Sequence, residues 1–186
     1  MKKSLLILFY ALGTVTLSAQ AFSKDTVHIN AGVGLGWPYK FEKIYTNMWS
    51  VPAFSVGIER GFFAFDSIGS ISIGLQLSYK YLENKRLNKV ATWNNYLVGA
   101  TAKFNFYYFN NYKIIPYAGL YGGINAIKFN DTFYASSNDY PTNYNGVYPL
   151  AYVFAGAKYI SRPTFGVYGE FSYGFTYFTL GLYKVL

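Results

Sequence analysis

Apolar and polar residues alternate one by one along much of this chain. Across residues 27–37 every odd position is apolar, and every even position is Gly, Asn or His. The same period of two returns in residues 53–62 and again in residues 71–81. Successive side chains of a β-strand point to opposite faces, so this period predicts strands with one bulky apolar face and one small or polar face.

Eight segments carry a pattern of this kind, which predicts eight strands. Their approximate bounds are residues 27–37, 53–62, 71–81, 93–104, 114–128, 150–160, 165–173 and 177–186. A tilted strand needs about ten residues to cross a lipid bilayer, which is the length of these segments. In the fifth and sixth segments both parities are apolar or small, so the pattern leaves open which of their faces points inward.

The two faces of the predicted strands differ in size, and this difference predicts their environment. An eight-stranded barrel has an interior just wide enough for ordinary side chains, so a bulky aromatic face would overfill it. We therefore expect the aromatic and aliphatic side chains to face lipid and the small polar ones to fill the lumen. Closure also pairs every backbone N–H and C=O group, as hydrocarbon requires. The predicted fold is an all-β, eight-stranded antiparallel transmembrane barrel with up-and-down connections.

Composition favours the same environment. Charged residues make up 13% of the chain, where a soluble domain carries about 25%. Aromatic residues reach 22%, which excludes an intrinsically disordered chain. The absence of cysteine excludes disulfides and thiolate metal sites, and a single histidine excludes any site that needs two imidazoles.

The first residues have the features of an export signal. Lys2 and Lys3 precede an apolar run over residues 5–12, and Ala19-Gln20-Ala21 provides the small residues that signal peptidase recognises. The apolar run is too short for a transmembrane helix. We expect a cleaved signal peptide over residues 1–21 and a barrel domain over residues 22–186.

The connections are predicted to alternate in length. Short turns fall near residues 63–69, 107–113 and 161–164, and longer loops fall near residues 38–50, 82–92 and 129–149. An even number of strands places both termini with the short turns, in the periplasm, and the long loops outside the cell. The predicted outer aromatic belt consists of Trp37, Trp49 and Trp93.

The glycine-rich first strand, the segment 166–174 (GVYGEFSYG) and the closing segment 180–184 (LGLYK) resemble those of the small eight-stranded, porin-like outer-membrane β-barrel proteins of Gram-negative bacteria. The resemblance covers the whole predicted barrel domain. It implies a place in the cell outer membrane, contact with lipid and lipopolysaccharide, and insertion by the outer-membrane assembly machinery. Members usually end on an aromatic residue, whereas this chain ends on Leu186.

Five ionisable residues are predicted to face the lumen: His28, Glu59, Lys80, Lys103 and Glu170. We expect His28 close to Glu59, and Lys80 across the lumen from Glu170. Opposite charges in a narrow lumen offset each other's desolvation, so the main hypothesis is a structural salt-bridge network that plugs the barrel. The alternative is a path for protons or ions.

No enzyme, metal site or cofactor is predicted. A resemblance to the barrel enzymes that deacylate lipid A would require a His-x-Ser-Asn motif, and His28-Ile29-Asn30 lacks the serine. His28 is also expected at the periplasmic end, whereas that chemistry acts on the outer leaflet. No nucleophile with an orienting group accompanies it.

The third long loop is the candidate recognition surface, because Tyr and Asn make adaptable contacts at low entropic cost. Its candidate residues are Phe133, Tyr134, Tyr140, Tyr144 and Tyr148. A solvated loop that only shields the rim is the alternative. The scattered basic residues of the first two loops suit anionic lipopolysaccharide better than nucleic acid.

Three roles remain open at this point. The first is a structural or surface-binding barrel that acts through its outer loops. The second is an accessory subunit of a larger envelope complex, which would include a protein partner. The third is a narrow channel.

Overall fold

The computed structural model describes residues 24–36, 48–65, 68–86, 89–107, 113–131 and 145–186. The predicted signal peptide lies outside these ranges. Nine strands are present in them: β1 Val27–Leu35, β2 Met48–Ser50, β3 Ala53–Phe65, β4 Gly69–Arg86, β5 Lys89–Phe106, β6 Ile114–Asp131, β7 Gly146–Arg162, β8 Phe165–Ser172 and β9 Phe178–Val185. Within the same ranges, no helix is long and apolar enough to cross a membrane.

The sheet closes on itself. Each of the strands β3 to β9 pairs antiparallel with the next, and β1 joins β3 on one side and β9 on the other. The predicted closed, eight-stranded, up-and-down antiparallel barrel is therefore confirmed, with β1 and β3–β9 as its strands. The remaining strand, β2, is short. It precedes β3 in the chain, is separated from it by Val51 and Pro52, and pairs with the same neighbour, β4. Proline has no N–H for a ladder bond, so the strand is interrupted there.

Aliphatic side chains cover the outside of the barrel wall. Leu75, Leu120 and Val153 are each at least 60% exposed, and the same face of every barrel strand carries similar residues. The two strands whose facing was open from the sequence are now assigned. In β6 the odd residues point inward, and in β7 the even ones do.

The lumen contains many more aromatic rings than the sequence pattern suggested. Tyr117, Tyr121, Phe154, Tyr168 and Tyr183 are all buried inside the barrel. The expectation that aromatic residues face lipid is therefore wrong for these five rings. Three of them lie on β6 and β7, whose facing the sequence left open, whereas Phe165 and Phe171 of β8 do face outward. Small residues do face inward, but their role is to make room for rings from other strands.

Glycines on the inner wall provide this room. A Cβ atom added to Gly99 would lie 2.3 Å from the hydroxyl oxygen of Tyr121, and one added to Gly32 would lie 2.4 Å from that of Tyr168. A Cβ on Gly156 would similarly approach the Tyr117 hydroxyl to 2.7 Å. Each ring thus lies across a wall position that has no side chain, an arrangement that also pins strand register.

The strands differ in length, so the wall is much taller on one side. β4, β5 and β6 have 18 residues each, while β1 has nine and β8 and β9 have eight. The predicted second outer loop, residues 82–92, is mostly strand, because the alternation of β4 continues to Arg86 and β5 begins at Lys89. We call the extension formed by residues 48–50, 79–86, 89–96 and 126–131 the projecting sheet.

Candidate functional site

The strongest concentration of charge lies inside the lumen, near the end with the short turns. Both oxygens of the Glu59 carboxylate are engaged: Oε2 lies 2.9 Å from Lys103 Nζ, and Oε1 lies 2.9 Å from Lys158 Nζ. The Glu59 side chain is 2% exposed. The three residues come from β3, β5 and β7, which are not neighbours in the barrel, so these ion pairs cross the lumen.

Two polar residues extend this contact to a fourth strand. Ser72 donates a hydrogen bond to Glu59 Oε1 over 2.6 Å, and Asn105 Nδ2 donates to Ser72 Oγ over 3.2 Å. Lys158 also donates to Asn105 Oδ1 over 3.4 Å. We refer to Glu59, Ser72, Lys103, Asn105 and Lys158 as the closed-end network. Its hydrogen bonds offset part of the large cost of burying charge.

The predicted set lacked the polar residues Ser72 and Asn105, and Lys158 is the charged member that the sequence prediction missed. The facing of its strand was ambiguous, because residues 150–160 are apolar or small at both parities. The lysine itself could have indicated the facing of this strand. A charged side chain that faces lipid destabilises a barrel, so a lysine in a membrane-spanning strand is expected to point into the lumen.

His28 lies beside this network. Its backbone pairs with that of Glu59, as expected, and its ring meets the ring of Tyr183 edge-on at 6.0 Å. Both side chains help to line a cavity of about 10 Å³ together with Glu59, Lys103 and Lys158. A cavity of that size has room for about one water molecule.

Lys80 and Glu170 do not form the expected pair, and both contact other groups. Tyr117 donates a hydrogen bond to Glu170 Oε2 over 3.0 Å, and Lys80 Nζ donates to the carbonyl oxygen of Gly36. The stagger of the strands around the closed barrel explains the difference. The pairing register leads from Glu170 to Ser70 through β7, β6 and β5, but to the level of Lys80 through β9, β1 and β3. Because the two paths reach β4 at well-separated residues, Glu170 lies opposite the middle of β4 and not opposite Lys80.

The structure describes two of the three tryptophans predicted for the outer aromatic belt, and they point to opposite sides of the wall. Trp49 is 60% exposed on β2, and Trp37 lies outside the described residues. Trp93 is 1% exposed and points into the barrel, where its ring contacts that of Phe129 at 5.0 Å. Trp93 and the buried Leu97 are both odd-numbered residues of β5, so they face the same side of the strand. The sequence therefore already indicated that Trp93 faces the lumen.

Tyrosines complete the outer aromatic surface near Trp49. The ring of Tyr81 meets Trp49 edge-on at 6.4 Å, and the rings of Tyr79 and Tyr96 lie 5.3 Å apart. In the candidate recognition loop, Phe133, Tyr134, Tyr140 and Tyr144 lie outside the described residues. Tyr148, in β7, is exposed.

The described side chains offer little for catalysis. Among the residues that the structure describes, no three Asp, Glu or His side chains are close enough together to hold a metal ion. The Glu59 carboxylate next to His28 is already bound by two lysines and a serine. The arrangement is suited to tying strands together.

Comparison with known proteins finds distantly similar structures and no matching family. No family model matches the chain, and no curated protein matches its sequence. The backbone structure of the Yersinia pestis outer membrane protein Ail in a phospholipid bilayer nanodisc is 13% identical, covers 88% of this chain and 100% of that one, and has a TM-score of 0.46. Ail crystallised with the heparin analogue sucrose octasulfate gives 15% identity, coverages of 88% and 96%, and a TM-score of 0.43.

A structure from the de novo design of transmembrane β-barrels is similar to the same extent. It is 12% identical, covers 88% of this chain and 98% of that one, and has a TM-score of 0.43. At such identities and scores, none of these similarities assigns a function to the chain.

Proposed function

We propose that this chain is a non-enzymatic integral barrel of the Gram-negative outer membrane, with a lumen closed by side chains, that acts through its outer end. The observation that carries the proposal is the inverted distribution of polarity. Charged groups such as Glu59, Lys103 and Lys158 are buried inside, while aliphatic side chains are exposed all around the outside. In water such an apolar exterior would favour aggregation, whereas the acyl chains of a bilayer solvate it.

The outer membrane is the location that suits such a barrel. Closed barrels of this kind satisfy their backbone groups without water, so they can span a bilayer with strands. The predicted signal peptide over residues 1–21 would deliver the chain to the periplasm, from which the assembly machinery inserts barrels. Lipid and lipopolysaccharide are the partners that this location implies.

A closed lumen is favoured over a channel by the packing of its interior. The ion pairs of Glu59 cross the lumen, and the rings of Tyr121 and Tyr152 stack at 4.7 Å further along it. Two small cavities among the described residues, one lined by His28 and the other by Glu170, each measure about 10 Å³. An ion path would need continuous hydrated space, and a cavity of that size accommodates about one water molecule.

A surface-binding role is favoured by the unequal rim. The end of β6 and the start of β7, between which the predicted third outer loop lies in the sequence, are at the same end of the barrel as the projecting sheet. A rigid scaffold there can present a binding surface. This supports binding at the outer end of the barrel. Residues Phe133, Tyr134, Tyr140, Tyr144 and Tyr148 remain the candidate contacts of the loop.

The first experiment is fractionation of cells that express the tagged chain. We expect the protein in the outer-membrane fraction, with an N-terminus at residue 22 and a gel mobility that changes on heating. Recovery in the soluble periplasmic fraction would contradict the membrane proposal.

Conductance in planar bilayers separates a closed barrel from a channel. We expect no ion current from the wild-type protein, and none from a Lys80→Gln/Glu170→Gln variant that keeps the Glu59 ion pairs. Steady current from the folded wild-type barrel would favour the channel hypothesis.

An accessory subunit is the second candidate, and one observation favours it. A groove of about 850 Å³ lies on the lipid-facing side and is lined mostly by apolar residues, among them Val33, Val56, Tyr159, Val167 and Leu180. A membrane partner could pack against such a surface. The matched variants are Gly169→Leu, which would fill the groove, and Gly122→Leu outside it.

Both glycines tolerate a side chain. A Cβ on Gly169 meets its nearest atom at 3.5 Å, and one on Gly122 meets nothing within 4 Å. If the protein is a subunit, a partner that co-purifies in mild detergent should be lost with Gly169→Leu and kept with Gly122→Leu. A wild-type barrel that purifies alone would leave the first role in place.

A further inference from the structure

The outer face of the projecting sheet carries an ordered set of aromatic, amide and charged side chains. Strand pairing places Trp49 beside Glu83, and Glu83 beside Thr92. One row nearer the membrane, Tyr81 pairs with Asn94, and Asn94 with Lys128. We call the set Trp49, Tyr79, Tyr81, Asn94, Tyr96 and Lys128 the aromatic–amide patch.

Hydrogen bonds within the patch fix the positions of its rings. Tyr79 donates to Asn94 Oδ1 over 2.9 Å, and Tyr81 donates to Glu83 Oε2 over 2.7 Å. Glu83 in turn pairs with Lys85 at 2.6 Å, so its charge is compensated. Tyr79 occupies the amide oxygen of Asn94, and within the described ranges no group accepts a hydrogen bond from its amide N–H groups, which can therefore donate to a ligand.

The chemistry of the patch suits a sugar headgroup that carries phosphate. Exposed Trp and Tyr rings can stack on the C–H faces of pyranose rings, and an amide can bond their hydroxyls. Lys128 is exposed and supplies a positive charge for phosphate. Rings held by a β-ladder lose little conformational entropy when a ligand binds.

The height of the patch indicates that its ligand is anchored in the membrane. The next aligned row towards the membrane contains Val56, Leu77, Val98 and Ile124, all apolar and exposed. A lipid whose acyl chains lie against this apolar band would present its headgroup at the level of the patch. A free saccharide has no acyl chains, so the apolar band next to the patch would not contribute to its binding.

We propose that the aromatic–amide patch binds the phosphorylated sugar headgroup of an outer-leaflet glycolipid of the lipopolysaccharide type. The proposal rests on the outer-membrane location proposed above. It places recognition on the side of the projecting sheet and does not involve the third outer loop.

The opposite side of the rim offers a matched control. Tyr173 and Tyr177, at the short connection between β8 and β9, are also exposed, and their rings lie 5.8 Å apart. Their neighbours Leu35 and Phe171 are exposed and apolar. We therefore use this pair as an example of ordinary interfacial aromatic residues, against which the aromatic–amide patch can be compared.

The test uses the full mature chain in phosphatidylcholine nanodiscs, with purified rough-type lipopolysaccharide as the probe. Bound glycolipid is counted by native mass spectrometry, and phosphatidylglycerol is the competing anionic lipid. We expect Trp49→Ala/Asn94→Ala to weaken glycolipid binding by about tenfold, which corresponds to about 1.4 kcal/mol. Tyr173→Ala/Tyr177→Ala should leave binding unchanged.

A second variant separates phosphate from sugar recognition. Lys128→Gln should weaken binding of phosphorylated lipopolysaccharide and leave binding of the dephosphorylated form unchanged. Equal losses in the patch and control variants, or equal competition by phosphatidylglycerol, would overturn the proposal. The fractionation experiment tests the location independently, so a barrel that is found in the outer membrane but does not select glycolipid contradicts this inference alone.

Discussion

The inner and outer faces of the barrel wall place similar residues in very different surroundings. Glu59 and Arg60 are consecutive in β3, and each takes part in an ion pair. The Glu59 side chain is 2% exposed and holds two lysines, whereas the Arg60–Asp25 pair has exposed fractions of 65% and 61%. Trp93 and Trp49 differ in the same way, at 1% and 60%. Stability should therefore depend mainly on the inner face, and interactions with other molecules on the outer face.

The largest expected effect is that of Glu59→Gln. This change leaves Lys103 and Lys158 buried without their shared carboxylate, and removing one partner of a buried ion pair costs about 3–5 kcal/mol. Urea-induced unfolding of the barrel in lipid vesicles measures the loss. Replacing both lysines by Met together with Glu59→Gln should recover much of it, because none of the three charges of this network then remains. A free energy of unfolding unchanged by Glu59→Gln would contradict a structural network.

The two tryptophans provide the second comparison. Trp93→Ala empties the space next to Phe129, and truncating a buried Trp costs about 3–5 kcal/mol where the surroundings cannot relax. The position near the outer rim allows some relaxation, so we expect the lower end of that range. Trp49→Ala should change the same unfolding free energy by no more than about 0.5 kcal/mol. Equal losses would mean that the outer face also stabilises the barrel.

The third comparison uses two glycines on neighbouring strands. Gly99 faces inward under Tyr121, while a Cβ on Gly122 meets nothing within 4 Å. Gly99→Val should displace the Tyr121 ring and cost about 1–3 kcal/mol, as overpacking of a filled interior does. Gly122→Val should be neutral in the same unfolding assay. Loss of stability in both variants would show that strand conformation, and not ring packing, sets the requirement for glycine.

The smallest effect is expected for the exposed ion pair. Arg60→Gln removes the 2.7 Å contact with Asp25, and exposed pairs contribute about 0–1 kcal/mol. Any loss should disappear in high salt, which screens exposed charges. If Arg60→Gln lowered the free energy of unfolding as much as Glu59→Gln does, and independently of salt, the inner and outer ion pairs would contribute equally to stability.

Sequence reasoning succeeded where the information is local. Alternation at period two in residues 27–35 and 71–81 placed strands and their facing correctly, because each residue's parity follows from its neighbours along the chain. It failed where both parities looked alike, as around Lys158, and where an expected pair depended on barrel tilt, as for Lys80 and Glu170. It also assigned Trp93 to the aromatic belt from its position near a strand end, although its parity placed it inside.

By itself, the sequence determined the number of barrel strands, their alternation and the closed antiparallel barrel, because the repeat is local and the chain carries too little charge for a soluble surface. Only the tertiary structure decided which residues meet across the lumen. Glu59 and Lys158 are 99 positions apart and come from strands that do not pair, so no periodicity could join them. The inward rings of Tyr121 and Tyr168 likewise depend on glycines from other strands. Strand tilt and register, which are properties of the closed sheet as a whole, set these contacts.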